Sequence, residues 1–383
     1  MQILYVSLRR AGRLAMKHHE QLRITDVRRP DCPFGDRLEF DDFHCNAAGI
    51  NARGYDLIGE DSEDFALRLA EVNGVDFEDI VVTDPINPSL PRYIPTIPNG
   101  SGKLFTEYTP EYVAVSLSDV VSAKQMKVAA DIHARLGVSR KTKVILLGFA
   151  NDALLERMWP AAVRHRVIAE LSKLDLHAVI PPDYSVWANQ PHAERLINQK
   201  KSMIIYKEMI SVGLPAIPHI TWHGKKDIDE HLRLLERHPN IKTIALDLQT
   251  IGPDAEWQRL LVDLAYLATR LDGDTRCLIT GPSVKSRIEQ IIRILPNAII
   301  VNSAAAQKAV RKLLFGEDLA YAPIYGVDKT DIMRTNDYVM GTLVNDLVKK
   351  YAELKEEALS PRGLRFVDRI GQLPTAQRKG YNI

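Results

Sequence analysis

Three cysteines in 383 residues, Cys32, Cys45 and Cys277, are too few and too scattered for a disulfide framework or a four-cysteine zinc site. Their scarcity fits a reducing, cytoplasmic setting. No apolar run approaches the ~20 residues of a membrane span, and the opening MQILYVSLRR has too short an apolar core for a secretion signal. Neither secretion nor membrane insertion is expected. An excess of either charge is missing too, since 50 basic and 49 acidic side chains leave a formal net charge of +1. A nucleic-acid partner is therefore neither demanded nor excluded, and any phosphate contact must come from a local patch.

What is present is a repeating grammar. Apolar residues make up 45% and charged residues 26% of the chain, the composition of a globular protein with a large core. From residue 140 to 315, short runs rich in Val and Ile alternate with helical patterns of ten or more residues. Strands are expected at 143–150, 177–185, 214–222, 243–250, 276–283 and 297–303, with two more upstream at 2–8 and 112–118. Amphipathic helices fall between them, at 229–238, 256–271 and 284–295 among others. Alternation of this kind means a parallel sheet, and eight strands with helical crossovers fit a (β/α)₈ TIM-like barrel. An open doubly wound sheet is the other α/β arrangement with this pattern.

The barrel is assigned to residues 1–334, with an insertion at 28–110, and a C-terminal helix and basic tail to 335–383. Five prolines between Asp84 and Pro98 are incompatible with helices or central strands, so the insertion reads as an extended surface excursion, a lid or a partner-binding arm. The tail carries Arg362, Arg365, Arg369, Arg378 and Lys379, which could contact phosphates or simply be solvated.

Parallel α/β sheets bind ligands at the carboxyl ends of their strands. There the sequence offers Asp152, Asp183 with Tyr184 and Ser185, Trp222 with His223, Asp247 with Gln249, Thr280 with Gly281 and Ser283, and Asn302 with Ser303. Polarity returns at the end of any strand, but Asp247 interrupts the apolar TIALDLQT before it ends, and a buried carboxylate needs a partner or a function. Asp183 follows two prolines that fix its approach, beside aromatic Tyr184 and Trp187. Capping of the helix near His192 is the alternative role for Asp183.

Asp183 and Asp247 are thus the catalytic candidates. Asp183 is expected to read a base or act in acid–base work, and Asp247 to serve as nucleophile or second carboxylate. Tyr184, Trp222 and His223 are expected to stack or orient a planar ring, and Gly281, Ser283, Asn302 and Ser303 to hold sugar or phosphate. His219 and His223 would lie about 13 Å apart on an extended strand, too far for one ion, so His219 reads as a core residue. No metal and no cofactor is expected. IPNGSGKLF at 97–105 lacks the first glycine of a nucleotide-binding P-loop and the hydroxyl after Lys103.

Pro182, Asp183, Tyr184 and Ser185, followed by a helix, by Gly213 to Pro218 in a G-x-x-x-I-P strand and by Trp222, resemble an uncharacterised barrel-like family of phages and mobile elements. The order of elements from 143 to 315 is also similar to the tRNA-guanine transglycosylase superfamily, which includes relatives that insert 7-deazaguanines into phage DNA. That resemblance implies a (β/α)₈ barrel that exchanges a base through an aspartate nucleophile, with DNA or RNA and a purine-like base as partners. Asp183 matches the base-reading aspartate. The nucleophile's position holds Asn302, and the superfamily's zinc ligands are absent. Base exchange on DNA is the leading expectation; a non-catalytic binding barrel and a metal-dependent hydrolase using Asp183, Asp247 and a histidine are the alternatives. Oligomeric state is not readable from the sequence.

Overall fold

A computed structural model describes residues 68–98, 105, 108–184, 186 and 192–359. Seven parallel strands carry the architecture among them: β1 (Tyr93–Pro95), β2 (Tyr112–Ser116), β3 (Lys143–Leu147), β4 (Leu176–Val179), β5 (Thr243–Asp247), β6 (Arg276–Thr280) and β7 (Ala298–Asn302). They form two sheets, ordered β1-β7-β6-β5 and β2-β3-β4.

Isolated parallel bridges link the sheets at both edges. At one seam Thr96 pairs with Ala114, and at the other the segment 214–220 bridges β4 through Val179–Ala216 and β5 through His219–Ala245. Sequence patterning gives a strand at 214–222, and prolines explain why it is fragmentary. Pro215 and Pro218 accept hydrogen bonds from Val179 and Ala245 but have no N–H to return, so the ladder shrinks to single bridges.

Helices occupy the connections. After β2 come α1 (Leu117–Val120) and α2 (Ile132–Leu136), after β3 come α3 (Asp152–Met158) and α4 (Ala161–Leu171), and after β4 comes α5 (His192–Ser211). The helix α6 (Lys225–Arg237) precedes β5, α7 (Asp254–Ala268) joins β5 to β6, and α8 (Lys285–Ile294) joins β6 to β7. Beyond β7 lie α9 (Ala304–Val310), an antiparallel hairpin of β8 (Leu313–Phe315) and β9 (Tyr321–Pro323), and the long α10 (Lys329–Leu359). Local chemistry sets these boundaries. Asn151 caps α3 by accepting the Leu154 N–H at 2.9 Å, and Asp328 accepts the Thr330 N–H at 2.7 Å, which starts α10 at Lys329 rather than at 335.

Two apolar cores follow from strand alternation. Ile94, Ala114, Ile145, Leu147, Ala178, Ile180, Ile217, Ala245, Leu278, Ile299 and Val301 pack together on one side of the strands, with Leu90. Their neighbours in sequence, such as Val113, Val144, Val179, Ile244, Ile279 and Ile300, belong to the larger core shared with the helices. On α8, Ile288, Ile291 and Ile292 at helical spacing supply that face.

The proline-rich stretch is corrected in its described part. It is not the extended surface excursion expected, lid or partner-binding arm, because Tyr93–Pro95 is a fully buried strand paired with β7. Ile300 donates to Arg92 O and Thr96 donates to Asn302 O, so the position of Pro95 turns its missing N–H away from β7. Just upstream the chain crosses the amino-terminal ends of the strands. There Asn87 bonds Asn240 O and the Lys242 N–H at 2.8 Å each, His177 Nε2 donates to Ser89 O at 2.8 Å, and Arg276 donates to Leu90 O. Prolines suit this path because it uses side chains and carbonyls rather than N–H groups. The expected strand at 2–8, the insertion up to residue 67 and the basic tail from residue 360 lie outside the described residues.

Candidate functional site

Asp183 reaches the carboxyl ends of the strands through a close backbone contact. A Cβ at Gly148 would sit 1.9 Å from Pro181 O, so only glycine lets the end of β3 approach the Pro181–Pro182 turn. The Asp183 N–H then donates to Gly148 O at 3.2 Å, while Ser202 of α5 donates to Pro182 O at 2.7 Å. The turn is clamped from both sides.

His219, wholly buried, comes from the segment 214–220. Its Nδ1 lies 3.2 Å from Asp183 Oδ1, and Phe149 packs edge-on to its ring with centroids 5.8 Å apart. The contact with Asp183 has ion-pair distance, but neither ring nitrogen makes a well-aligned hydrogen bond among the described residues. Asp247 ends β5, one alternation beyond the inward Ala245, with its Oδ1 accepting from the Thr280 hydroxyl at 2.5 Å and the Gln249 N–H at 3.1 Å. Three ionisable groups from three different connections therefore share one electrostatic environment.

Their protonation is coupled. Burial disfavours a charged His219, but the charge and proximity of Asp183, and then the charge of Asp247, outweigh it and hold the imidazole's proton above its usual range. Burial, then the negative charge of Asp183, pushes the Asp247 carboxyl up, against the opposing pull of Thr280, His219 and the Gln249 N–H. Perturbed, mutually coupled groups of this kind are suited to acid–base chemistry.

Next to it opens a cleft of about 580 Å³ at the ends of β6 and β7. Gln249, Thr280, Gly281, Ser283, Asn302 and Ser303 line it, as do Lys285 and Lys308. Gly281 has φ +106° and would drive a Cβ to 2.6 Å from the Gln249 nitrogen, so a glycine brings the end of β6 against 248–249.

The sequence candidates thus divide. Asp183 and Asp247 come together around His219, and Gln249, Gly281, Ser283, Asn302 and Ser303 share the cleft. Asn302 lines it but is committed to the backbone, donating to Pro282 O at 3.0 Å and accepting the Ala304 N–H at 3.1 Å. Tyr184 is no stacking wall. It is buried among the helices against Trp159 and Lys201, with its hydroxyl donating to Leu155 O at 3.2 Å, because the turn after Asp183 sends its ring outward. Trp222 leans on the outer core with its indole N–H on Asp263 at 3.1 Å, exposed His223 leads into α6, and exposed Asp152 sits in the first turn of α3. None of these three lines the cleft. Ser185 lies outside the described residues.

Sequence reasoning missed His219 as a member of the site, and it placed Thr280 at the strand ends without its bond to Asp247. The partners of His219 are carboxylates remote in sequence. Its signal was alternation, since His219 follows the inward Ile217 by two residues. Among the described residues no group of three or more His, Cys, Asp and Glu is placed to hold a metal ion, and no helix is long and apolar enough to cross a membrane.

Residues 109–246 match DUF4417, a domain of unknown function. No curated protein matches the sequence. Similar solved structures include a cube-shaped, highly porous protein cage designed by fusing symmetric oligomeric domains, 10% identical, covering 77% of this chain and 88% of that one with a TM-score of 0.41. Another is a native KDPGal structure, also 10% identical, covering 70% of this chain and 100% of that one with a TM-score of 0.38.

Proposed function

We propose that this chain is a closed (β/α)₈-barrel enzyme that exchanges a nucleobase at the carboxyl ends of its strands, with Asp183, His219 and Asp247 as its catalytic groups. Closure is supported by the two bridged seams and by an inner core to which β1 to β7 and the segment 214–220 each contribute a side chain. The catalytic reading is carried by one observation, the buried imidazole at ion-pair distance from Asp183 and within the electrostatic reach of Asp247, where barrel enzymes keep their chemistry.

The roles follow from the electrostatics. Asp183, whose Oδ1 faces the buried His219 Nδ1 at 3.2 Å, is assigned attack at the sugar carbon. As the Asp183 oxygen bonds to that carbon, the glycosidic C–N bond breaks and its electron pair passes to the departing base, which takes the proton of Asp247. The incoming base gives its N–H proton to Asp247, and its lone pair displaces the Asp183 ester. Atoms and charge balance, and the raised carboxyl of Asp247 suits it to both proton transfers. Of the two roles expected of Asp247 from the sequence, nucleophile or second carboxylate, this reading takes the second. Half-buried Phe149, rather than Tyr184 or Trp222, offers the ring face beside the trio. A base within a duplex would have to be flipped out to reach it, so DNA, or alternatively RNA, is the polymer partner in this reading.

The test is an exchange assay with labelled guanine or a 7-deazaguanine, offered with duplex DNA or tRNA. Incorporation that is lost in Asp183→Ala and Asp247→Ala supports base exchange. Folded protein that incorporates nothing into either polymer overturns it and leaves the binding-barrel reading, which the tied-down Asn302 at the superfamily's nucleophile position favours.

A further inference from the structure

The cleft beside Thr280 carries features that the acid–base trio does not use. Lys285, from the first turn of α8, and Lys308, from α9, both line it. Lys285 is paired with Asp318, whereas Lys308 lies 3.2 Å from the centroid of the Tyr321 ring and makes no ion pair among the described residues. Ser303 accepts the Gln307 side-chain N–H at 2.7 Å, which leaves its own hydrogen to donate, and Ser283 is exposed at the rim. Among the described residues no side chain caps the first turn of α8.

Asp318 reaches this place by an unusual path. It sits between β8 and β9 with φ +57°, and Leu319 follows with φ +62°, so two consecutive residues other than glycine adopt the left-handed conformation. Leu319 lines the same cleft, and Gly316 donates to Ala320 O at 2.7 Å across the turn. The strained turn presents a carboxylate to the cleft's lysine.

We infer that this cleft is a phosphate subsite, in which Lys285, Lys308 and the Ser283 and Ser303 hydroxyls are the donors and the Asp318 carboxylate is an internal stand-in that the ligand displaces. Its volume fits a nucleotide or sugar phosphate rather than the anion alone. Thr280 both lines the cleft and bonds Asp247, so a phosphate held here places the attached sugar beside the trio. Only the identity of what the phosphate carries rests on the base-exchange reading. The phosphate belongs either to a mononucleotide or to the backbone flanking a flipped nucleotide.

Calorimetric titration of the full chain distinguishes these sources with three probes: inorganic phosphate, a purine nucleoside 5′-monophosphate, and a single-stranded oligonucleotide without terminal phosphates. Saturable binding of the first two assigns a terminal phosphate, and binding of the oligonucleotide alone assigns the backbone. In either case Lys285→Met and Lys308→Met should each weaken binding about tenfold. Asp318→Asn should tighten it severalfold by removing the competing carboxylate. Lysine variants that bind like the parent, an Asp318→Asn variant that binds no tighter, or no binding of any probe overturns the subsite. A failed exchange assay with intact lysine-dependent binding would remove the catalytic reading and leave the subsite standing.

Discussion

Two aspartates that arrive from other parts of the chain raise the proton affinity of His219, and this coupling is invisible to any pattern in PHITWHG. Residue identity exposed Asp183 and Asp247, because a carboxylate at the end of an apolar run is conspicuous. It misled at Tyr184, whose ring is apolar enough for either side of a turn and was buried by the one the backbone chose. A second buried carboxylate shows the same physics away from the site. Asp337 of α10 accepts the Tyr108 hydroxyl at 2.8 Å beside Tyr93, and burial pushes its carboxyl from 3.8 to about 6 against the pull of both phenols. The folded state therefore favours the protonated acid. Its stabilisation is fully present below pH 3.8 and is lost as the pH rises through about 6. Asp337→Asn, which cannot ionise, should gain stability over the parent across that window, reaching roughly 1–3 kcal/mol at neutral pH. Urea unfolding at pH 4 and pH 7.5 measures it; an equal difference at both values contradicts the assignment.

Among the elements, β3, β5, β6 and β7 fall within their expected spans because each is buried on both faces and reads as an unbroken apolar run. The segment 214–220 and β1 were harder, for opposite reasons. Prolines at 215 and 218 break a ladder whose apolar pattern looks continuous, whereas prolines around β1 hide a strand that pairs despite them. The site depends on element contacts as much as on its own side chains, above all where β3 meets the Pro181–Pro182 turn. Gly148→Ala has to move that turn, since its new methyl would overlap a backbone carbonyl rather than a flexible side chain. A loss on the order of 3 kcal/mol is expected, together with a His219 whose titration, followed by NMR, falls as Asp183 withdraws. A stable variant with an unchanged titration would show that the turn is not held by this contact.

The molecule as a whole separates its two ends. The carboxyl ends of the strands gather the ionisable and hydroxyl groups, while the chain crossing the amino-terminal ends, read from sequence as a lid or partner-binding arm, places Leu90 in the inner core. Stability and chemistry should then separate by mutation. Leu90→Ala is expected to cost about 2–5 kcal/mol through the cavity it leaves, with binding at the other end unchanged in the folded fraction. A variant that loses function without losing stability would place this segment at the site after all.

If Asp183 carries the sugar between one base and the next, as proposed, the glycosyl ester on its carboxylate can be trapped. The protein would be incubated with its nucleic acid in the absence of an incoming base, quenched in acid, digested and weighed by peptide mass spectrometry. The expected result is a sugar-linked adduct on the peptide that contains Asp183, absent from Asp183→Ala. An adduct on the peptide that contains Asp247, or none under conditions that support exchange, would contradict the account.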